Sequence, residues 1–277
     1  MKKKILCFTV LIVTLYPICF VFLGSLMGDD EVKTYLELLD SSYSNSFVSL
    51  WFFPNFPTLK SYVELLVDTP AFFVVFWNSV KSTTFILVGQ VLINVPASWW
   101  FAQSTFKGKQ WLYRLYIVLM VLPFVVMMLP QYIMLKQLGL LDTLWAIILP
   151  AIFSTLSIFI IYPYFKAIPR AIIESAKIDG ANEWQIFSRI GVPICLPAII
   201  ISIMLNLFEY WGSVEQIIAF IKNQSLWTLP LFISSIQVNK ANLALVSAVI
   251  VMVIPLLFTF LSQRYLTNGL LSNAEEK

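Results

Sequence analysis

Ile168-Pro169-Arg170-Ala171-Ile172-Ile173-Glu174-Ser175-Ala176-Lys177-Ile178-Asp179-Gly180-Ala181-Asn182-Glu183-Trp184-Gln185-Ile186-Phe187-Ser188-Arg189-Ile190-Gly191-Val192-Pro193 is the stretch on which the reading of this chain turns. Pro169 suits the first turn of a helix, where its missing N–H costs nothing. Ile172, Ile173 and Ala176 then fall on one face at helical spacing. Gly180 is placed for a left-handed C-cap. Asn182 can cap a second helix, with Gln185 reaching back from the third position. Trp184, Phe187 and Ile190 are expected as that helix's apolar stripe, and Pro193 marks where the next helix begins. The spacing predicts two short helices meeting at a glycine hinge, a compact knob to offer a partner.

Outside this stretch the chain is strongly apolar. Of its 277 residues, 59% are hydrophobic and 12% charged, and the mean hydropathy is +0.84. A soluble domain carries about 25% charged residues, so an ordinary cytosolic enzyme is excluded. Intrinsic disorder, which needs low hydrophobicity, is excluded too. The net charge of +3 gives no reason to propose nucleic acid as a partner. Without any histidine there can be no zincin motif and no His-based triad. Cys7, Cys19 and Cys195 have no metal-ligand spacing and read as small apolar residues in helices.

The charges divide the chain into membrane-length pieces. Lys4 to Asp29, Lys81 to Lys107, Arg114 to Lys136, Asp142 to Lys166, Arg189 to Glu209 and Lys240 to Arg264 each enclose 19 to 25 uncharged residues. A helix needs about 20 apolar residues to cross the hydrocarbon core. The expectation is therefore an all-α polytopic membrane protein with six transmembrane helices. The first apolar stretch is too long for a signal-peptide core and is read as an uncleaved anchor. With the N-terminus inside, the inner face holds 12 of the 18 lysines and arginines, which places both termini in the cytoplasm. The expected division is a cytoplasmic N-terminus and first span at 1–28 and an extracytoplasmic segment at 29–81. A core of spans two to six follows at 82–265, and a cytoplasmic tail at 266–277. Within the core, the stretch quoted above belongs to an inner loop at 166–193, and an outer loop lies at 213–240. Trp51-Phe52-Phe53-Pro54-Asn55-Phe56-Pro57, in the first outer segment, is dense in aromatics, as suits a membrane interface. Prolines in or at the edge of every span suit helices that kink and change shape.

The quoted stretch resembles the EAA loop of ABC importer permeases: Glu-Ala-Ala, three residues, Gly, nine residues, Ile, one residue, Leu-Pro. Glu174, Ala176, Gly180, Ile190 and Pro193 fall in register, and Asp179-Gly180-Ala181 matches the common Asp-Gly-Ala. Ser175 and Val192 are mild departures. Pro54 to Tyr62, Asn78-Ser79, Phe106 to Lys109, Pro130-Gln131-Tyr132, Thr228-Leu229-Pro230, Gln263-Arg264-Tyr265 and Gly269-Leu270 extend the likeness over most of residues 50–271. It is closest to the second, six-span permease subunit of the maltose-type carbohydrate importers. Trp211-Gly212 stands where the family often has Trp-Asn, and the tail ends atypically.

The resemblance implies a type I ABC importer permease fold in the plasma (inner, cytoplasmic) membrane of a prokaryote. It implies as partners a homologous second permease, two ATPase subunits and an extracellular solute-binding protein, with membrane lipid around the bundle and a sugar or oligosaccharide as substrate. ATP and Mg would be bound by the partner ATPase; this chain has no phosphate loop and is expected to hold no cofactor and to be no enzyme. Coupling to the ATPase would fall to Glu174, Ser175, Ala176, Asp179, Gly180, Ala181, Ile190 and Pro193. Sugars need aromatic faces and amides or carboxylates, which Gln131, Tyr132, Asn206, Glu209, Tyr210 and Trp211 could offer. Glu209 reads equally as a water-facing residue at the edge of its span. Thr228, Leu229 and Pro230 would touch the binding protein. The rivals are an ABC permease for another solute, such as glycerol phosphate, and a stand-alone secondary transporter. The second predicts intramembrane charge relays, which spans so poor in charge do not offer.

Overall fold

The computed structural model describes residues 2–40, 53–237 and 240–275. Trp51 and Phe52 of the aromatic stretch, residues 238–239 of the expected outer loop and residues 276–277 of the expected tail lie outside the described residues. The described elements are helices.

Two compact units divide the chain. The first comprises residues 1–78 and 227–254, the second 79–226 and 255–277. In the first, α1 (Lys2–Gly24) is apolar, yet none of its most apolar window is buried. A helix that is apolar all round and not covered by its own chain suits a membrane span. Cys7 and Cys19 are exposed on it. In α2 (Asp29–Asp40), Asp29, Asp30 and Glu31 occupy the first turn, where the helix dipole favours negative charge. After α3 (Lys60–Val63) and a π-helical turn (Glu64–Asp68), Pro70 opens α4 (Pro70–Gln103). The second span's helix thus starts ahead of Lys81, which lies within α4 and is exposed. Charge spacing placed the boundary later, but a long cationic side chain can leave a helix flank for water without ending the helix. Polar contacts hold this unit together. Ser25 and Tyr62 hydroxyls are 2.7 Å apart, the Asn242 amide donates to Asp29 and to Ser61 Oγ, and Asn78 donates to the Trp227 carbonyl at 3.1 Å.

The second unit contains the expected spans three to five. Among the described residues, five helices are long and apolar enough to cross a membrane, and a bent pair makes a sixth if its two halves count as one span. That pair corrects the expectation of a continuous third span. α5 (Lys109–Val121) and α6 (Phe124–Gln137) meet at 101°. Pro123 is the cause: its ring pushes the preceding Leu122 into extended backbone, at φ −66° and ψ 124°. The fourth span also breaks, at Phe153-Ser154, between α7 (Trp145–Ile152) and α8 (Thr155–Ala167).

α8 packs on α11 (Val192–Trp211). On α11, Cys195, Ala198, Ile199, Ser202, Asn206, Leu207 and Trp211 are buried, a stripe at three- and four-residue spacing. Ala198, Ser202 and Ser157 let backbones approach closely, the usual device where apolar burial cannot drive helices together in lipid. At the other end of the chain, α14 (Ala241–Glu275) runs as one helix through the sixth span and most of the expected tail.

Candidate functional site

The hairpin forms as its residues dictate. α9 (Arg170–Ile178) closes with a Schellman motif: Ala181 N–H donates to the Ala176 carbonyl at 2.9 Å and Gly180 N–H to that of Lys177 at 3.1 Å. Gly180 takes φ +83°, the left-handed conformation this motif requires. α10 (Glu183–Ile186) opens with a full capping box, in which Asn182 Oδ1 accepts Gln185 N–H at 2.8 Å and Gln185 Oε1 accepts Asn182 N–H at 2.9 Å. Lys177 and Glu183 pair across the hinge at 2.6 Å, but both are solvated and the pair adds little. A π-helical turn (Phe187–Gly191) joins the hairpin to α11, and Pro193 lies in the first turn of that helix.

Each helix of the hairpin has one covered face and one free face. Ile173, Ala176, Ile186 and Phe187 are buried with Val95, Trp99, Phe165 and Ile199, and Ala181 and Ile190 pack at the edge of that cluster. Trp99 stands edge-on to Phe165 at 5.3 Å and tilted against Phe187 at 5.8 Å. The expected stripes are narrower than the sequence suggested: Ile172 is exposed, and so is Trp184, at 68%. Glu174, Ser175, Asp179, Gly180 and Pro193 are exposed as well, whereas Ala176 is not. The free face of α9 also carries Ile178, 85% exposed, which the sequence reading did not single out. A groove of about 530 Å³ lies beside α10, between Trp184 and Phe187 and the end of α4 at Trp100 and Gln103.

A second constellation sits at the break in the fourth span. Gln90 Nε2 donates to the Ala151 carbonyl at 2.8 Å and Asn94 Nδ2 to that of Ile152 at 3.1 Å. Asn206, fully buried, accepts from Ser154 Oγ at 3.2 Å and donates to Ser157 Oγ at 3.1 Å and to the Ser202 carbonyl at 2.7 Å. Irregular backbone at membrane depth is tolerated where protein satisfies it, and these amides do so.

The pathway candidates therefore separate. Asn206 and Trp211 are buried inside the unit, Tyr210 is half-buried, and Glu209 is exposed. Gln131 is half-buried, and Tyr132 packs on Leu135, Ala146 and Phe220. Of the three residues expected to touch a binding protein, Thr228 and Leu229 are buried and Pro230 is half-buried.

Residues 94–271, which include the hairpin, match the family of binding-protein-dependent transport system inner membrane components. The chain belongs to this family. It is a multi-pass membrane permease of an ABC importer that works with a solute-binding protein. The arabinooligosaccharides transport permease AraQ of Bacillus subtilis is 28% identical over 259 residues, covering 92% of this chain and 88% of that one. The lactose transport permease LacG of Rhizobium radiobacter is 30% identical over 216 residues, covering 76% and 77%. The fold matches a chain of a bacterial ABC transporter involved in alginate import, with a TM-score of 0.76 at 21% identity over 95% of this chain and 94% of that one.

Of the permease's polar knot the sequence reading singled out only Asn206, and as a pathway residue; the others were missed because each is unremarkable alone. One sequence signal could have found it: Gln90, Asn94 and Ser98 recur every four residues in an otherwise apolar span, marking a polar stripe that must face protein.

Proposed function

We propose that this permease is one half of the translocation pathway of an ATP-driven importer for a sugar or oligosaccharide. A homologous permease would supply the other half, and two cytoplasmic ATPase subunits would bind ATP and Mg and do the hydrolysis. The names of AraQ and LacG support the carbohydrate class. The excess of lysine and arginine on the hairpin's side of the membrane supports cytoplasmic termini and a cytoplasmic hairpin.

The observation that carries the coupling role is the two-faced hairpin. Its inner face is anchored among Trp99, Phe165 and Ile199, while Glu174, Ser175 and Ile178 project from the free face. An element with a rigid root and a projecting mixed face transmits a push to the helices it is rooted in. ATP-driven closure of the ATPase dimer would move the hairpin, and the helix packing would switch between its two arrangements. Glu174 would meet a basic group of the ATPase and Ile178 an apolar recess.

The test is cross-linking in the detergent-solubilised complex from cysteines at Ser175 and Ile178. Both should capture an ATPase subunit, and the buried Ala176 should not. Capture from none of them, or solute uptake by the isolated chain, refutes the proposal.

A further inference from the structure

Three cations gather where α5 and α9 begin and α8 ends. Lys109 opens α5, Lys166 lies in the last turn of α8 and Arg170 opens α9. The Lys109 ammonium stands 5.7 Å from the centre of the Tyr162 ring, and that of Lys166 stands 5.8 Å from it. Lys109 feels the positive charge of both Lys166 and Arg170. Among the described residues, the ion pairs are Lys60 with Asp29 and Lys177 with Glu183, so none of the three cations has a carboxylate partner there. The floor of the cluster is firm. Tyr162 is buried, with the Tyr113 ring 4.5 Å away. Lys109 is held by the Ala102 and Ser104 carbonyls at 3.1 and 2.9 Å, which leaves one of its three N–H donors over. Lys166 and Arg170 are exposed.

Like charges held around one buried ring repel, and more strongly at a membrane edge than in bulk water. An anion bound from outside the chain relieves that repulsion. We propose that Lys109, Lys166 and Arg170 bind the phosphate of an anionic phospholipid from the inner leaflet. Its oxygens take charge-assisted hydrogen bonds from all three, and a basic pocket between spanning helices on the cytoplasmic side suits such a headgroup. Two observations select a lipid over a phosphate in solution. Phe159, Pro163 and Lys166 share one face of α8 at helical spacing and all are exposed, so the face that ends in an ammonium offers an apolar track for an acyl chain. Trp100, Phe106 and Trp111, exposed around the junction of α4 and α5, are aromatics of the kind that sit at headgroup level. Arg170 is the first residue of α9, so a headgroup that bridges it to Lys109 and Lys166 ties the hairpin to α5 and α8. The inner leaflet rests on the cytoplasmic hairpin proposed above.

The test uses the whole importer purified in detergent with its ATPase and second permease. Native mass spectrometry follows its titration with phosphatidylglycerol and, separately, with phosphatidylcholine. The wild-type complex should bind phosphatidylglycerol in preference. Lys166→Gln together with Arg170→Gln should weaken that binding about thirtyfold, and the charge-conserving exchange Lys166→Arg with Arg170→Lys should keep it. No preference in the wild type, or unchanged binding in the double Gln variant, overturns the proposal. So does displacement of the lipid by millimolar inorganic phosphate, which makes the site one for a soluble anion. Loss of the ATPase subunit from the double Gln complex with its lipid retained makes the cluster a protein contact and overturns the proposal too. If that variant does not assemble, Lys166→Gln alone decides, with a weakening of about fivefold expected. A wild-type preparation that brings no ATPase with it refutes the importer reading, and lipid binding by the permease is then read on its own.

Discussion

Gly191 lies against the Trp99 indole so closely that a Cβ on it would stand 2.7 Å from Cζ3 and 3.0 Å from Cε3. The ring cannot easily yield, because Phe165 and Phe187 hold it from other sides. Gly191 ends the π-helical turn between the hairpin and α11, so this contact roots the hairpin in the bundle. Gly191→Ala is expected to cost about 1–3 kcal/mol through overpacking. Thermal unfolding of the purified complex measures it, and Trp99→Phe in the same chain should recover part of the loss. A Gly191→Ala protein that melts with the wild type would show that the ring moves freely.

Gly180 has open space around its missing side chain, so size is not its constraint. Its φ of +83° and its N–H bond to Lys177 are. Gly180→Pro removes both, since proline fixes φ near −65° and has no N–H. Uptake by cells expressing this variant should fall to background at normal membrane abundance. Gly180→Asn, which tolerates the left-handed region, should transport at a substantial fraction of the wild-type rate. Equal uptake by Gly180→Pro and wild type would remove the hinge from the mechanism.

Asn206 is the centre of the polar knot at the break in the fourth span. Asn206→Ala strips partners from the hydroxyls of Ser154 and Ser157 and should destabilise the protein by about 1–3 kcal/mol. Detergent-solubilised protein followed by thermal unfolding gives the number. Stability within a few tenths of a kcal/mol of wild type would mean that water replaces the amide there.

Ile178 makes the contrasting case, because it is too exposed to support the fold. Ile178→Asp should leave the melting temperature of the isolated permease unchanged and reduce co-purification of the ATPase. Full recovery of ATPase with the Ile178→Asp chain would show that this side chain is outside the coupling contact.

The hairpin was legible because its signals are local. The Gly180 cap and the Asn182–Gln185 box are closed by hydrogen bonds spanning no more than five residues, so residue types at fixed offsets announce them. The break at Leu122-Pro123 was half legible. Pro123 was visible, but charges that bound a span measure its length and say nothing of its course. The knot joins residues as far apart as Gln90 and Ala151, and a hydrogen bond joins Asp142 to Asn223; no local pattern reports such pairs.

From its order of residues alone, this protein has membrane-length apolar segments and a capped helical hairpin among them, since apolar length and cap chemistry act within a few neighbours along the chain. Which face of each helix is covered was settled by packing. Ile172 and Ile173 are equally apolar, yet only Ile173 is buried, against partners such as Trp99, Phe165 and Ile199. Burial belongs to pairs of surfaces, and the second surface of each pair comes from a distant part of the chain.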